Sequence, residues 1–160
     1  MKKLGKVKHR IDVSNEYEVL AKKDEEVSKL LFKNGEYKHA IYFCIQAMEK
    51  YIRSKIFSIV NPNLEYFRKR NQNHSVEDAI EFLLEIVSTE ENLRKTIRQQ
   101  LVECILGEIN YQQLHNNLRY PFYSQKFNTY SVITYVAEDY KYVEIELQKL
   151  KIYLNELNRL

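Results

Sequence analysis

Glycine and proline are scarce in this chain of 160 residues, which has three glycines and two prolines. Antiparallel all-β folds need tight turns at short intervals, and these two residues supply much of the backbone geometry of such turns. The scarcity therefore argues against a β-sandwich or a β-barrel. The chain also has no apolar run near the roughly 20 residues of a membrane-spanning helix and no apolar signal region at its N-terminus. We therefore expect no membrane partner.

Cysteine is also rare, and the two cysteines are Cys44 and Cys104. They form no Cys-x-x-Cys pair, and no set of cysteines and histidines has the spacing of a zinc site. Both occupy apolar positions of predicted helices, so we expect two reduced core residues and a cytoplasmic location. The sequence predicts neither a bound metal nor a cofactor.

The net charge of +3 is unevenly distributed. Residues 1–10 hold five basic side chains and no acidic one, so the remainder of the chain is slightly acidic. This pattern is not that of a uniformly basic nucleic-acid-binding protein. We interpret residues 1–13 as a basic N-terminal arm, solvated or in contact with nucleic acid, and residues 14–160 as one domain.

Apolar residues recur three and four positions apart through most of the chain, which is the spacing of helices with one buried face. The sequence therefore predicts an all-α fold, an up-and-down bundle of four long helices plus one shorter helix. A polar loop over 62–73 separates the second and third predicted helices, and an aromatic connection over 119–130 separates the fourth and fifth. The predicted helices cover about 14–33, 37–61, 75–87, 88–120 and 131 to near the C-terminus, with Ser14, Ser75 and Ser88 as predicted N-terminal caps.

Three details of these helices are specific enough to test. Leu20 and Leu30 belong to the predicted buried face of the first helix, and Leu93 and Cys104 to that of the fourth. Gly107 predicts a bend in the fourth helix, because glycine weakens a helix interior. The last helix has a heptad seam from residue 136 to residue 157, which we interpret first as a core stripe of the bundle and second as a dimer seam.

A second, more polar stripe follows the second helix at spacings of four, three and four residues. It is formed by Tyr42, Gln46, Glu49 and Arg53, which lie on one flank beside the apolar face. Glu49 and Arg53 can pair as i, i+4 neighbours. The stripe is either a solvated flank or part of a groove or subunit contact.

Three short motifs occur in order along the chain: residues 35–40 (GEYKHA) followed by 46–50 (QAMEK), then His74-Ser75, then residues 118–121 (LRYP). With these motifs the sequence resembles the HEPN domain family over about residues 15–158. The resemblance implies a bundle of four long helices and a shorter one, which often pairs into homodimers. It also implies one of two functions: metal-independent RNA cleavage by an Arg-x(4–6)-His motif at the start of the last long helix, or association with a minimal nucleotidyltransferase, as a toxin–antitoxin pair or as a substrate-binding subunit.

The ribonuclease motif is absent from its expected position, because the window after Arg119 (residues 124–126) contains no histidine. Arg68 and His74 have the right spacing, but they lie before the third predicted helix. The sequence therefore resembles the nucleotidyltransferase-associated type more closely. A toxin-like ribonuclease with an aberrant motif and a purely structural protein-interaction module remain as alternatives.

The resemblance and the residue chemistry together predict a homodimer that binds a nucleotide or RNA and acts with a nucleotidyltransferase-type partner, without catalysis. Arginine suits a phosphate or a carboxylate through its planar fork, and tyrosine rings stack on bases. We expect His74, next to a helix cap, to bond to backbone there. The predicted binding residues are Arg119, Tyr120, Tyr123, Gln46, Glu49, Arg53 and His74.

Overall fold

The computed structural model describes residues 1–107 and 109–157, and these form seven α-helices, one π-helical segment and a two-stranded hairpin. The all-α bundle is therefore confirmed. The elements are α1 (Val13–Lys33), α2 (Tyr37–Ile59), α3 (Glu65–Arg70), α4 (Val76–Val87), α5 (Glu91–Gln99), the π-helical segment (Gln100–Ile105), α6 (Tyr111–Arg119), β1 (Phe122–Ser124), β2 (Thr129–Ser131) and α7 (Ala137–Glu156).

Helix α2 is the centre of the bundle, because it packs against α1, α4, α6 and α7. Its apolar face is buried from Ala40 to Phe57, whereas Ile59 at its end is exposed. Full burial of one aliphatic side chain contributes about 1.5–3 kcal/mol. Packing on several sides also buries polar positions of α2 that border this face. The buried apolar residues of α2 at four-residue spacing are Ala40, Cys44, Met48, Ile52 and Ile56.

The predicted buried face of α1 is wrong at Leu20 and Leu30, which are both exposed. Ala21 of the same predicted face is buried, and the polar residues Glu25 and Ser28 are buried beside it. Polar residues are stable there because each has a partner: the Ser28 hydroxyl donates to the backbone oxygen of residue 40 at 2.8 Å, and Glu25 is multiply hydrogen-bonded. Apolar periodicity therefore finds part of the buried face of α1 and misses its polar members.

The N-terminal cap of α1 is Asp12 and not Ser14, since the Asp12 side chain accepts from the backbone N–H of Asn15 at 3.0 Å. Ser14 has a different role. Its hydroxyl donates to the backbone oxygen of Ser54, and the Ser54 hydroxyl donates to that of Ser14, each at 2.8 Å. This reciprocal pair joins the first turn of α1 to α2.

The predicted loop over 62–73 contains α3, a helix of six residues. Such a short helix has little intrinsic stability, because helix nucleation is unfavourable. Tertiary contacts stabilise it: Arg70 forms ion pairs with Asp78 at 2.6 Å and Glu85 at 3.1 Å, and Phe67 stacks on Phe82 with ring centroids 6.1 Å apart. The local sequence does not reveal these contacts.

Of the two remaining predicted caps, one is confirmed. Ser75 caps α4 and accepts from the backbone N–H of Asp78 at 3.0 Å. Ser88 does not cap α5, whose N-cap is Glu90; its hydroxyl accepts from the backbone N–H of Glu90 at 2.9 Å in the turn before the helix.

The predicted fourth helix is divided at Gly107, where the sequence predicted a bend. The π-helical segment follows α5, and Gly107 has φ of +65°, a left-handed conformation that glycine adopts without strain. The buried positions of this stretch are Leu101 and Ile105. Leu93 and Cys104 are exposed, so their predicted burial is wrong. For Cys104 the reason is the π-helical spacing, which rotates positions after residue 100 relative to a 3.6-residue repeat.

The predicted start of the last helix near residue 131 is also wrong, because α7 begins at Ala137. Residues before it form the hairpin β1–β2, in which Tyr123 is paired with Tyr130. Several β-branched and aromatic residues between 129 and 136 favour extended backbone. The heptad seam is confirmed as a core stripe except at its first position, Val136, which is exposed; its buried members are Tyr140, Val143, Leu147, Leu150 and Leu154.

Candidate functional site

A polar cleft of about 90 Å³ lies where the N-terminal ends of α4 and α6 face the middle of α2. It gathers four of the seven predicted binding residues: Gln46, Glu49, His74 and Arg119. The other lining residues are Ile45, Ser75, Val76, Tyr111, Gln112, His115 and Asn116.

His115 forms one wall of the cleft and is half-buried. Its Nε2 lies 2.9 Å from Nε2 of Gln46, and its ring stacks on Tyr42 with centroids 5.0 Å apart. Burial lowers the pKa of His115, and the nearby charge of Arg119 lowers it further. The ring is therefore neutral at pH 7, and it accepts the Gln46 N–H at Nε2 when its own proton is on Nδ1.

Glu49, His74 and Arg53 form a second group at the opposite wall. Oε1 of Glu49 accepts from Nε of Arg53 at 3.0 Å and lies 3.1 Å from Nδ1 of His74. His74 thus pairs with a carboxylate, whereas we expected it to bond to backbone. Arg53 is fully buried and also donates to Oδ1 of Asn71 at 2.6 Å and to the backbone oxygen of Asn73. It lies beneath the cleft and supports Glu49, so it does not line the site.

Arg119 is the last residue of α6 and is exposed. Its Nε donates to the backbone oxygen of His115 at 3.3 Å, and its Nη2 donates to Oδ1 of Asn116 at 2.9 Å. These bonds use two of the five N–H groups of a guanidinium. The guanidinium carbon is also 5.2 Å from the centroid of the Tyr120 ring, within the range of a cation–π contact. Arg119 therefore both caps its helix and faces the cleft.

Two helix N-termini point into the same cleft. Ser75 and Val76 begin α4, and Tyr111 and Gln112 begin α6, and all four line the cleft. The N-terminal end of a helix carries a partial positive charge and favours anions. The end of α6 is already paired, because the backbone N–H of Gln112 donates to Oε1 of the Glu77 carboxylate at 3.0 Å. The anion-favouring groups of the cleft are therefore Arg119 and the end of α4.

Tyr120 and Tyr123 lie outside the cleft, on the hairpin side of Arg119, and both are exposed. Tyr120 is next to the guanidinium of Arg119, as described above. The Tyr123 ring packs edge-on against Tyr130 at 5.6 Å, and its hydroxyl donates to Oδ1 of Asn128. These two tyrosines form the aromatic border of the site.

Sequence reasoning missed His115, Gln112 and Asn116 as members of the cleft. One signal was present for His115: it lies four residues before Arg119 and therefore on the same helical face. By contrast, the Arg68 and His74 spacing does not form a site of its own. Arg68 is exposed on α3, whereas His74 pairs with Glu49 in the cleft.

Larger cavities lie elsewhere among the described residues, including an open cleft of about 440 Å³ lined by Thr89, Glu91, Arg94, Lys95 and Arg98. A groove of about 1030 Å³, bordered by α4, α5 and the end of α7, is lined mainly by apolar side chains. A cleft of about 340 Å³ between α1, α2 and α7 contains lysines, of which Lys22 pairs with Glu18 at 2.8 Å and Lys151 with Glu25 at 2.9 Å. The smaller polar cleft combines histidine, glutamine and arginine, and we take it as the candidate site.

The described part of the chain offers no set of three histidine, cysteine, aspartate or glutamate side chains close enough to hold a metal ion. Within the same residues, no helix has both the length and the apolar character needed to cross a membrane.

The fold and the cleft together define a small all-α bundle protein with a polar, arginine- and histidine-lined site at two helix ends. The family model described as HEPN domain matches residues 19–144, well over half of the chain and all of the cleft. The chain therefore belongs to the HEPN domain family, as its motifs indicated. No curated protein and no solved structure matches the chain.

Proposed function

We propose that this HEPN protein binds a phosphate group of a nucleotide or RNA in the polar cleft, without cleaving it. We further propose that it does so as a homodimer that acts with a nucleotidyltransferase-type partner. The observation that carries the binding proposal is the position of Arg119, which lies at the C-terminal end of α6 and lines the same cleft as His115 and Gln46.

The donors of the cleft suit a phosphate oxygen better than a neutral ligand. The guanidinium of Arg119 supplies charge-assisted hydrogen bonds, and the N-terminal end of α4 supplies a favourable dipole. Glu49 does not oppose this, because its carboxylate is neutralised by the buried Arg53 and is paired with His74. The second carboxylate nearby, Glu77, is also paired, since it accepts from the backbone N–H of Gln112 at 3.0 Å. The groups offered to an anion are therefore the Arg119 guanidinium and the Gln46 amide.

The size of the cleft limits what enters it. Pockets that enclose a whole small-molecule ligand usually measure about 300–1000 Å³, whereas this cleft measures about 90 Å³. A phosphate head group fits such a volume, but a base and a sugar do not. The base would therefore lie outside, and the neighbouring rings of Tyr120 and Tyr123 are suited to stack on it.

The proposed homodimer and nucleotidyltransferase-type partner rest on the resemblance of residues 118–121 and on the missing histidine after Arg119. Both features are those of the nucleotidyltransferase-associated group. A neighbouring gene for a small nucleotidyltransferase and co-purification of its product would support the partner. Binding of that product without any nucleotide would support the structural-module alternative instead.

The binding test uses isothermal titration with inorganic phosphate, AMP and a short single-stranded RNA. We expect Arg119→Ala to weaken binding of each at least about tenfold, because a bidentate charge-assisted contact is lost. Arg68→Ala is the matched control, since Arg68 is an exposed arginine on α3, outside the cleft. Equal affinities for the wild type and Arg119→Ala would show that the cleft does not hold the phosphate.

Ribonuclease activity is the second candidate, and one arrangement favours it. The cleft contains two histidines, His74 beside the Glu49 carboxylate and His115 beside Gln46, and histidine is the most common general acid or base. Incubation of the purified protein with single-stranded and transfer RNA decides between the two functions. We expect intact RNA; cleavage that disappears in both His74→Ala and His115→Gln would replace binding by catalysis.

A further inference from the structure

The hairpin and the residues that lead into it present an unusual number of aromatic side chains to solvent. Tyr120 is 61% exposed, Phe127 68% and Tyr130 71%, and Tyr123 is also exposed. Clustered large apolar side chains on a surface usually mark a contact site. Here the rings are close together in sequence, within residues 120–130.

The hairpin register brings two of these rings to one face. Tyr123 is paired with Tyr130, and side chains of directly paired residues lie on the same side of a sheet. Their rings meet edge to face with an interplanar angle of 77°, so the flat faces of the two rings do not cover one another. Flat ring faces are the surfaces on which nucleic-acid bases stack.

The charged side chains of this stretch of the chain have one sign. Residues 109–137 contain no aspartate or glutamate, whereas Arg119 and Lys126 fall within this stretch. Each of the two cations lies over a ring: Arg119 over Tyr120 at 5.2 Å, and Lys126 over Phe127 at 5.3 Å. A surface of exposed aromatic rings and cations without acidic residues is complementary to unpaired bases on a phosphate backbone.

We propose that the hairpin binds single-stranded nucleic acid by stacking successive bases on Tyr123, Phe127 and Tyr130. This proposal deepens the proposed function and rests on it for one anchor, the phosphate held by Arg119. Arg119 is followed directly by Tyr120 and then by β1. A nucleic-acid strand whose phosphate is held by Arg119 therefore meets the hairpin as it leaves the cleft. The ligand is then an oligonucleotide of several nucleotides and not a free mononucleotide.

The test compares an oligonucleotide with an abasic oligonucleotide of the same length, which keeps the phosphates and lacks the bases. Fluorescence anisotropy should show that the wild type binds the base-containing strand at least about tenfold more tightly. The double variant Phe127→Ala/Tyr130→Ala should lose this preference while its affinity for the abasic strand is unchanged. Circular dichroism checks that the variant keeps its helices.

Two further variants serve as controls for the double variant. Tyr130→Phe keeps the stacking surface and should keep the preference for bases. Tyr66→Ala removes an exposed tyrosine on α3, outside the hairpin, and should also have no effect. A base preference that survives in the double variant would overturn the hairpin proposal.

The outcomes also separate this proposal from the proposed function. If Arg119→Ala binds phosphate as the wild type does, but the base preference depends on the hairpin, the cleft proposal fails and the hairpin proposal stands. If the double variant changes the molecular mass in light scattering but not oligonucleotide affinity, the hairpin is an interface between copies and the nucleic-acid proposal is overturned.

Discussion

Nε2 of Gln46 lies 2.9 Å from Nε2 of His115, although the two residues are 69 positions apart in the chain. This contact joins α2 to α6 across the candidate site. It is compatible with a neutral imidazole that accepts at Nε2, and a doubly protonated imidazolium has no acceptor to offer. Protonation of His115 therefore removes the acceptor at Nε2. It also places a second positive charge near that of Arg119.

This arrangement predicts a pH dependence of stability that His115→Gln removes. The pKa of His115 in the folded protein is below its ordinary value of 6.5, so the unfolded chain binds more protons in this range. Its contribution to stability is complete above pH 6.5 and is lost as the pH falls through the lowered pKa. We expect the free energy of unfolding, measured by urea denaturation, to fall more between pH 7 and 5 in the wild type than in His115→Gln.

The control for that experiment is His39→Gln, since His39 is exposed and faces Glu36 at 3.8 Å on the surface. It should follow the wild-type pH profile. Identical profiles for the wild type and His115→Gln would mean that the ring of His115 carries no lowered pKa.

A second prediction concerns Glu25, which is buried in α1. Burial alone would raise its pKa, but hydrogen bonds from Gln148, Lys151 and Tyr51 outweigh burial and lower the pKa to about 2. The contribution of Glu25 is therefore present above pH 4.5 and is lost as the pH falls through about 2. At pH 7, Glu25→Gln should lower the free energy of unfolding by about 1.5–3 kcal/mol, the range for hydrogen bonds to charged groups.

The difference between Glu25→Gln and the wild type should narrow steadily below pH 4.5. Glu26→Gln is a matched control, because Glu26 is the exposed neighbour and pairs with Lys23 on the surface at 3.5 Å. Exposed ion pairs contribute about 0–1 kcal/mol. If Glu26→Gln lowers the free energy of unfolding as much as Glu25→Gln does, the buried hydrogen-bond network is not the cause of the loss.

The features predicted correctly from sequence are those that depend on local chemistry. Ser75 caps α4 because its hydroxyl reaches an N–H three residues ahead, and Gly107 interrupts a helix through its own backbone freedom. The buried face of α2 follows from strong periodicity over 23 residues. The composition and the motifs were sufficient for the class and the family.

The features that sequence reasoning missed depend on distant partners. Helix α3 exists because Arg70 and Phe67 find partners on α4, and Glu25 is buried because partners on α2 and α7 surround it. Arg53 was expected to line a surface and is buried for the same reason. The cleft itself was half predicted, since Gln46, Glu49, His74 and Arg119 meet there, but His115 joins them through tertiary packing.

The third prediction is that the protein forms a two-fold homodimer, as bundles of this family often do. The heptad seam of α7 is occupied by the core of the bundle, so it is not the contact surface. A second apolar stripe on α7 is exposed and includes Tyr142, Ile145 and Ile152. Light scattering at tens of micromolar should give the dimer mass for the wild type, and Ile145→Lys/Ile152→Lys should give a monomer if this stripe is the interface.

A monomer mass for the wild type at that concentration would contradict the dimer. A dimer that persists in the double lysine variant would place the interface on another surface. Lys141→Ala is a control for charge changes on α7, since it removes an exposed lysine of the same helix.

The last prediction separates the two roles of Arg119. If Arg119 only complements the dipole at the end of α6, Arg119→Ala should lower the free energy of unfolding by about 0.3–1 kcal/mol, and Arg119→Lys should restore it because a dipole needs only a positive charge. A phosphate held by two N–H groups of a planar fork needs more than charge, so lysine should not restore nucleotide affinity. The paired measurement is thermal unfolding with titration of the same three proteins. Full recovery of stability in Arg119→Lys, with nucleotide affinity equal in all three proteins, would leave Arg119 as a helix cap and would take away the main support for phosphate binding in the cleft.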